Sequence, residues 1–337
     1  MPKIIDLITL KLNPQCNLAP MHEGLLEEND LIAAREALGD AVHRTPLIPS
    51  KSLSELAGNR LLLKAELFQK TGSFKPRGIL FRLLRTTPAE RDRGFISISA
   101  GNAAAALAWA AARIGSHATI VMPATAVQSK IEATQNYGGE VVFTDGDYMG
   151  TCRSIQDERD LTFVHPFDDL DVLAGHGVAG LEILEDSPDL DTVVVPVGGG
   201  GLIGGIAAAV KSRRPGVEVI GVEPRGADVM TRSLASGGVE TQAKPNSVAD
   251  GLCAPFAGEH TLRHARRFVD RIVIVEDREI LDALRLVWTR CKLAAEPSGA
   301  AALAAVLSGK TGQKGKTIAC VVSGGNVDPS LIASLLA

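Results

Sequence analysis

The sequence predicts an α/β protein built mainly from parallel sheets. Short apolar runs rich in Val and Ile alternate with longer amphipathic or alanine-rich stretches along the 337 residues, which is the pattern of repeated strand–helix units. The chain is longer than one core usually holds, so one large or two interleaved domains are expected. Because no repeat or long linker divides the chain, a second domain must be inserted into the first.

Eight short apolar runs are predicted to be strands, with helices between most of them. Residues that typically end helices and strands support this order, because Gly39 and Gly115 follow predicted helices and Pro123 closes a strand. The predicted strands are residues 60–65, 95–99, 118–122, 140–143, 192–197, 218–222, 271–275 and 317–322.

Composition and charge argue against two classes of partner. The chain has 35 Lys and Arg residues against 39 Asp and Glu, a net charge of -4 and only 4% aromatic residues, so it lacks the basic, aromatic-interleaved stripe of nucleic-acid-binding proteins. The longest apolar run, 103–112, is ended by Arg113, well short of the roughly 20 residues that a membrane helix needs. We therefore expect neither nucleic acid nor a membrane as a partner.

The N-terminus and the cysteines indicate a cytoplasmic protein. Residues 1–24 are predicted to be a loose leader, because Asp6 and Lys11 interrupt the apolar residues and no clear cleavage site follows. The five cysteines are scattered and never spaced as C-x-x-C, which argues against disulfides and a zinc site. They are Cys16, Cys152, Cys253, Cys291 and Cys320.

One lysine stands between an aromatic residue and a proline. The segment 71–78 reads Thr-Gly-Ser-Phe-Lys-Pro-Arg-Gly, and proline suits the first helical turn, so Lys75 is predicted where a glycine-containing loop enters a helix. An apolar wall beside an amine lowers its pKa and makes it a nucleophile towards an aldehyde. On its own, the motif also fits a solvated lysine on a loop.

The segment Ser99-Ala100-Gly101-Asn102 lies where strand 95–99 runs into the alanine-rich helix. Its backbone N–H groups should point outward as an anion site that suits a carboxylate. Ser99 and Asn102 also suit the capping of that helix, and capping and ligand binding are compatible.

Four consecutive glycines, residues 198–201, follow strand 192–197 and precede a helical stretch at 202–213. Residues without side chains let several N–H groups converge on one anion, and the helix dipole adds to the field. The physical interpretation is a phosphate cradle.

The same glycines fit a second interpretation. The stretch reads Gly199-x-Gly201-x-x-Gly204, and Glu223 ends a later strand, as in a dinucleotide fingerprint. A single G-x-G-x-x-G is a weak signal. The glycines alone therefore leave a lone phosphate and a dinucleotide equally open.

Two other patterns are less specific. Ser323-Gly324-Gly325-Asn326 follows strand 317–322 and would place a hydroxyl and a tight turn at a carboxyl end of the sheet, where ligands bind in α/β proteins, although an ordinary strand-to-helix turn fits too. His260 and His264 have the spacing of a metal pair, but Thr261 replaces the glutamate of H-E-x-x-H. We expect these histidines to lie on a solvated helix face.

Five segments, taken in order, resemble the threonine/serine dehydratase and serine racemase family. The resemblance extends over approximately residues 25–330, and several ordered motifs in the right context favour a phosphate site over a dinucleotide site. The segments are Ser73-Phe74-Lys75, Ser99-Ala100-Gly101-Asn102, His165-Pro166-Phe167-Asp168-Asp169, the tetraglycine run and Ser323-Gly324-Gly325-Asn326.

The resemblance implies the fold-type II architecture of pyridoxal 5′-phosphate (PLP) enzymes, similar to the tryptophan synthase β chain. Two three-layer α/β domains with mainly parallel sheets are expected, with the cofactor between them. Residues 25–66 and 169–337 would form the large domain, and residues 67–168 the inserted small domain. The resemblance also implies a homodimer.

The family's functional residues transfer to matching positions. Lys75 would carry the cofactor as a Schiff base, Phe74 would flank it, Asn102 would meet the ring hydroxyl, and Ser323 would face the pyridine nitrogen. The implied cofactor-binding residues are Phe74, Lys75, Asn102, Gly198, Gly199, Gly200, Gly201, Leu202, Gly251 and Ser323. The implied substrate-binding residues, which would hold a carboxylate, are Ser99, Ala100, Gly101, Asn102 and Ala103.

The implied reaction is removal of a β-hydroxyl from a small amino acid. A serine at the pyridine nitrogen does not keep that nitrogen protonated, which favours elimination over transamination. Lys75, once released, would act as the general base at Cα. L-Threonine, L-serine or a related 3-hydroxy amino acid would then give a 2-oxo acid and ammonia.

The sequence departs from the family at three places. Related racemases carry a serine at Ala100 as a second acid/base, so its absence favours dehydration over racemisation. Histidine and glutamine are usual at Ala103 and Ala105, and their loss would admit a bulkier substrate such as a phenylserine. Glu223 and the Ala227 carbonyl match part of a divalent-cation site, but one carboxylate alone binds such ions poorly.

Three interpretations remain open from the sequence. The first is the dehydratase, the second a nicotinamide-dependent oxidoreductase that uses the glycine run, and the third a PLP or amino-acid binder without activity. Lys75 distinguishes the first from the second. The changes at Ala103 and Ala105 leave the first and the third undecided.

Overall fold

A computed structural model describes residues 24–336 of the chain. The predicted leader, apart from Gly24, and Cys16 lie outside the described residues. The helices are α1 (Glu28–Leu38), α2 (Lys51–Ala57), α3 (Lys75–Leu84), α4 (Pro88–Arg93), α5 (Asn102–Arg113), α6 (Gln128–Asn136), α7 (Tyr148–Arg159), α8 (Leu170–Asp186), α9 (Gly201–Arg213), α10 (Val229–Ser236), α11 (Glu259–Phe268), α12 (Asp277–Leu286), α13 (Pro297–Leu307) and α14 (Pro329–Leu336). The strands are β1 (Leu47–Pro49), β2 (Arg60–Ala65), β3 (Phe95–Ile98), β4 (Ala118–Pro123), β5 (Glu140–Thr144), β6 (Thr162–Phe163), β7 (Thr192–Pro196), β8 (Glu218–Pro224), β9 (Arg271–Val275) and β10 (Thr317–Val322).

The strands form two sheets. The larger has the order β1-β2-β10-β7-β8-β9, in which only β1 runs antiparallel to its neighbour. The smaller has the order β5-β4-β3-β6 and is parallel throughout. The predicted α/β class with mainly parallel sheets is confirmed, and all eight predicted strands are present.

Each sheet is covered by helices on both faces. Along β10, Ile318 and Cys320 pack into the core beneath α12 and α13, whereas Ala319 and Val321 pack with residues of α9 and α11. In the smaller sheet, Ile120 belongs to the core shared with α3 and α5, and its neighbour Val121 packs with Cys152 of α7. Two three-layer units result, because side chains of successive strand residues point to opposite faces.

The smaller sheet lies within the segment that the sequence assigns to an inserted domain. Its strands come from residues 95–163, and the strands of the larger sheet come from both sides of that segment. The domain bounds at residues 67 and 168 stay a prediction.

Two other expectations concern membranes and thiols. None of the helices in residues 24–336 is long and apolar enough to cross a membrane. In the same part of the chain, all four cysteines are free thiols.

Candidate active site

A cavity of about 430 Å³ opens where strands of both sheets end. It lies at the carboxyl ends of β3, β7 and β10, the edge at which α/β proteins bind ligands. Every residue that the sequence assigned to cofactor or substrate binding lines this cavity, from Phe74 and Lys75 to Gly251 and Ser323. Glu223 and Ala227 lie elsewhere.

Lys75 begins helix α3, and Pro76 follows it in the first turn, as the sequence predicted. Its Nζ donates a hydrogen bond of 2.7 Å to the carbonyl oxygen of Pro166 and lies 5.1 Å from the centre of the Phe74 ring. Burial lowers the pKa of Lys75 to about 8. A larger share of this amine is therefore neutral, and nucleophilic, at neutral pH than for an ordinary lysine.

The turn after β6 presents the carbonyl that holds Lys75. The Nδ1 atom of His165 accepts hydrogen bonds from the backbone N–H groups of Phe167 (3.3 Å) and Asp168 (2.8 Å). Burial lowers the pKa of His165, so the imidazole stays neutral and keeps an acceptor nitrogen. This motif, for which the sequence alone indicates no chemistry, thus supports Lys75.

A buried charge cluster anchors the helix that carries Lys75. The Arg77 guanidinium is completely buried and bonds to Glu66 at 2.8 Å and to Glu182 at 2.8 Å. Lys64 adds a 2.6 Å bond to Glu182. Two cations and two carboxylates balance in charge, which is the condition under which buried ions are tolerated.

The loop before Lys75 packs tightly against the loop after β10. Thr71 has a positive φ of 58°, which is uncommon for a residue with a side chain. Its carbonyl accepts a 2.7 Å hydrogen bond from Nδ2 of Asn326, and a methyl group on Gly72 would lie 2.5 Å from Asn326 Oδ1. The Ser323 carbonyl accepts from the N–H of Phe74 at 3.1 Å. Asn326 and Ser323 thus hold the lysine loop.

The glycine run forms a cradle with no room for side chains at residues 199–201. A methyl group on Gly199 would lie 2.5 Å from the Phe167 ring, and one on Gly201 would lie 2.8 Å from the Phe167 carbonyl oxygen. Gly200 has a φ of +93° and precedes α9. The N–H groups of residues 198–201 have no hydrogen-bond acceptor among residues 24–336. Free N–H groups at a helix N-terminus form an anion site of phosphate size.

The segment 99–103 forms a second N-terminal turn, at α5. The Ser99 hydroxyl accepts a 3.2 Å hydrogen bond from the N–H of Gly101, so Ser99 holds the turn, as the capping alternative anticipated. The Asn102 side chain does not cap its helix. Its Nδ2 donates to Glu296 Oε1 at 2.8 Å, and its Oδ1 accepts from Asn326 Nδ2 at 2.7 Å.

Glu296 is the main site residue that was not predicted from the sequence. Its carboxyl is buried in the cavity wall at the start of α13, and burial, with repulsion from Asp250, raises its pKa to about 7. Ser298 also lines the cavity, and its buried hydroxyl has no hydrogen-bond partner among the described residues. The signal was weak, because a glutamate before a proline resembles any helix start.

Glu223 bonds to the backbone at the start of α10. Its carboxylate is fully buried and accepts hydrogen bonds of 2.8 Å from the N–H groups of Met230 and Thr231 at the start of α10. Burial raises the pKa of Glu223 to about 7. Within residues 24–336, no three His, Cys, Asp or Glu side chains lie close enough to hold a metal ion. The buried carboxylate also counts against the dinucleotide interpretation, which needs it free for a ribose.

The prediction that His260 and His264 share a solvated helix face was wrong for His264. Its side chain is completely buried, and its Nε2 accepts a 3.0 Å hydrogen bond from the N–H of Leu26. The reason is that α9 packs against α11 and the chain before α1 reaches His264. A local helical pattern does not reveal a partner 238 residues away.

An amine of lowered basicity shares this cavity with a phosphate-sized cradle. That pairing is what an enzyme needs to hold an aldehyde that carries a phosphate, and it places the fold and the site in the class of fold-type II PLP enzymes.

Comparison with known proteins identifies the family. The model of the family described as "Pyridoxal-phosphate dependent enzyme" matches residues 38–324. The chain therefore belongs to this family of PLP-dependent enzymes, as the resemblance in the sequence predicted.

Two relatives with curated names carry different activities. An L-threonine ammonia-lyase of Thermotoga maritima is 43% identical over 311 residues, covering 91% of this chain and 77% of the relative. A serine racemase of Oryza sativa subsp. indica is 38% identical over 310 residues, covering 89% of this chain and 91% of the relative.

The solved structures that superpose on this chain include a serine racemase, a threonine deaminase and an aspartate racemase. Maize serine racemase superposes with a TM-score of 0.88 at 37% identity, covering 92% of this chain and 96% of the other. The processed form of threonine deaminase isoform 2 from Solanum lycopersicum superposes with a TM-score of 0.86 at 32% identity, covering 92% of this chain and 94% of the other. The fold-type II architecture is confirmed.

Proposed function

We propose that this protein is a PLP-dependent dehydratase, or ammonia-lyase, of small 3-hydroxy amino acids such as L-threonine and L-serine. The products are a 2-oxo acid and ammonia. The observation that carries the proposal is Lys75, whose Nζ has lowered basicity and lines the same cavity as the glycine cradle. Relatives named threonine ammonia-lyase and threonine dehydratase support it.

The residues of the cavity fit PLP. The cradle excludes side chains at residues 199–201, and the N–H groups of residues 198–201 are free for a phosphate. We propose that Lys75 attaches the cofactor and that Gly198 to Leu202 hold its phosphate, with Phe74, Asn102, Gly251 and Ser323 around the ring. When bound, the cofactor supplies an electron sink for bonds at the substrate's Cα and Cβ.

Lys75 is the proposed base. A pKa of about 8 keeps a useful share of the amine neutral near pH 7, and a neutral amine accepts the Cα proton. The Pro166 carbonyl, which accepts from Nζ at 2.7 Å, fixes where the nitrogen lies. Pro166 therefore orients the base.

Ala100 favours dehydration over racemisation. It lines the cavity within the proposed carboxylate loop, and its methyl group has no proton to give to a second face of the substrate. Racemisation remains the second candidate function, because relatives are named serine racemase. Conversion of L-serine to D-serine at a rate comparable to 2-oxo acid release would favour that candidate.

The alanines of α5 bear on substrate size. Ala103 lines the cavity, whereas Ala105, two residues further along α5, is buried outside the cavity lining, and neither supplies a polar group. We propose that the space admits a larger β-substituent, such as the ring of a phenylserine. Ready turnover of threonine with no turnover of phenylserine would refute this extension.

The test is an absorption spectrum of the purified protein combined with a 2-oxo acid assay on L-threonine, L-serine and phenylserine. We expect a visible cofactor band and 2-oxo acid release in the wild type, and loss of both in Lys75→Ala. Lys51→Ala is the matched control, because the Lys51 side chain is 92% exposed and lies outside the cavity. A band without 2-oxo acid from any of these substrates would refute the dehydratase. Absence of the band would refute the cofactor assignment.

A further inference from the structure

Lys130 is a second lysine of the cavity, besides Lys75. It projects from α6 and forms an ion pair with Asp250, which lies on the turn beside Gly251. The Lys130 side chain is 20% exposed and that of Asp250 is 59% exposed. The pair therefore bridges the smaller and the larger unit at the cavity wall, with its anion on the solvent side.

The Lys130 ammonium also lies beside the proposed carboxylate loop. A methyl group built on Gly101 would have Lys130 Nζ as its nearest heavy atom, at 3.9 Å. Ala100 and Ala103 carry no polar side-chain atom, and the Asn102 amide already bonds to Glu296 and Asn326. The loop therefore offers a carboxylate backbone N–H groups and the Ser99 hydroxyl. Of the residues that line the cavity in the described part of the chain, Lys130 is thus the cation next to this loop.

We propose that Lys130 determines specificity for an α-carboxylate by exchanging Asp250 for the carboxylate of the incoming amino acid. This inference rests on the proposed function. A largely exposed partner such as Asp250 forms a weak ion pair, so the exchange has a small penalty. A substrate carboxylate held by the N–H groups of the loop beside Lys130 Nζ is less exposed than Asp250. Its attraction to the Lys130 ammonium is therefore stronger.

The proposal predicts different changes in KM when each member of the ion pair is replaced. Lys130→Met keeps the length of the side chain and removes the charge, and we expect KM for L-threonine to rise about tenfold, the equivalent of one charge-assisted contact, with a small change in kcat. Asp250→Asn frees Lys130, so KM should fall or stay within twofold of the wild type. Lys130→Arg keeps the charge and should recover most of the affinity.

A binding measurement separates affinity from turnover. L-Alanine has no leaving group at Cβ, so calorimetric titration of the holoenzyme with L-alanine should show the same order, with Lys130→Met weakest. An equal rise of KM in Lys130→Met and Asp250→Asn would overturn the proposal, because the pair would then only brace the two units. A change below twofold in Lys130→Met would also overturn it. Absence of the cofactor band from the wild-type spectrum is a separate result, and it would refute the proposed function.

Discussion

Glu296 contacts Asn102 through a buried carboxyl whose pKa is raised to about 7, first by burial and then by Asp250. Because the folded pKa is above the ordinary value of 4.5, the unfolded chain releases this proton first as pH rises. Glu296 therefore reduces stability progressively between pH 4.5 and 7. The full penalty, above that window, is about 3 kcal/mol.

Glu296→Gln should remove this penalty while keeping an oxygen that accepts from Asn102. We expect the variant to gain about 3 kcal/mol relative to the wild type between about pH 4.5 and pH 8, measured by urea unfolding of the holoenzyme. A stability difference that does not change with pH would contradict the buried, protonated carboxyl. Glu223 titrates in both the wild type and Glu296→Gln, so its contribution cancels in the difference between their free energies of unfolding.

Substitution of Gly199 is the most stringent test of the phosphate cradle. Its missing side chain makes room for the Phe167 ring, which would lie 2.5 Å from an added methyl group. Gly199→Ala should reduce the affinity for PLP by more than about tenfold, through displacement of the loop. Gly216→Ala, where nothing lies within 4 Å of the added methyl group, is the control. Equal PLP affinity of both variants in a spectroscopic titration would contradict the cradle.

At the scale of elements, the buried charge cluster joins α3 to β2 and α8. Arg77→Leu leaves Glu66 and Glu182 with Lys64 as the remaining cation of the cluster. We expect a loss of about 3–5 kcal/mol in the free energy of unfolding, because a charge is left buried without a partner.

Denaturant unfolding measures the loss in the free energy of unfolding of Arg77→Leu, and two other variants serve for comparison. Arg77→Lys keeps the charge, should retain part of the stability and should fold even where Arg77→Leu does not. Arg278→Leu, at a side chain that is 83% exposed in an i,i+4 pair, should change stability by less than about 0.5 kcal/mol. Similar values for Arg77→Leu and Arg278→Leu would show that the cluster does not anchor α3.

Strands could be predicted where an apolar run is closed at both ends by polar or glycine residues. The runs at β2, β9 and β10 coincide with the observed strands residue for residue, because each is apolar and closed by polar or glycine residues. Two strands escaped detection, since β1 has three residues and β6 has two. Strands this short show no periodicity and form only because a longer neighbour offers free backbone groups.

At the scale of the whole molecule, the site divides into local and non-local parts. Lys75 and the glycine run lie at strand or loop ends beside a helix start, so their chemistry could be predicted from neighbours in sequence. Glu296 reaches Asn102 across 194 positions and Lys130 reaches Asp250 across 120. No pattern within a window of sequence marks such pairs. The predicted homodimer and cytoplasmic location likewise stay predictions.

The most direct test of the central claim is to locate the cofactor on the chain. Borohydride reduction of the holoenzyme, followed by digestion and mass spectrometry, should find one PLP-derived mass increase, on the peptide that contains Lys75. The increase should be absent after reduction of Lys75→Ala. Modification of Lys130 or of a surface lysine, or no modification at all, would contradict the account.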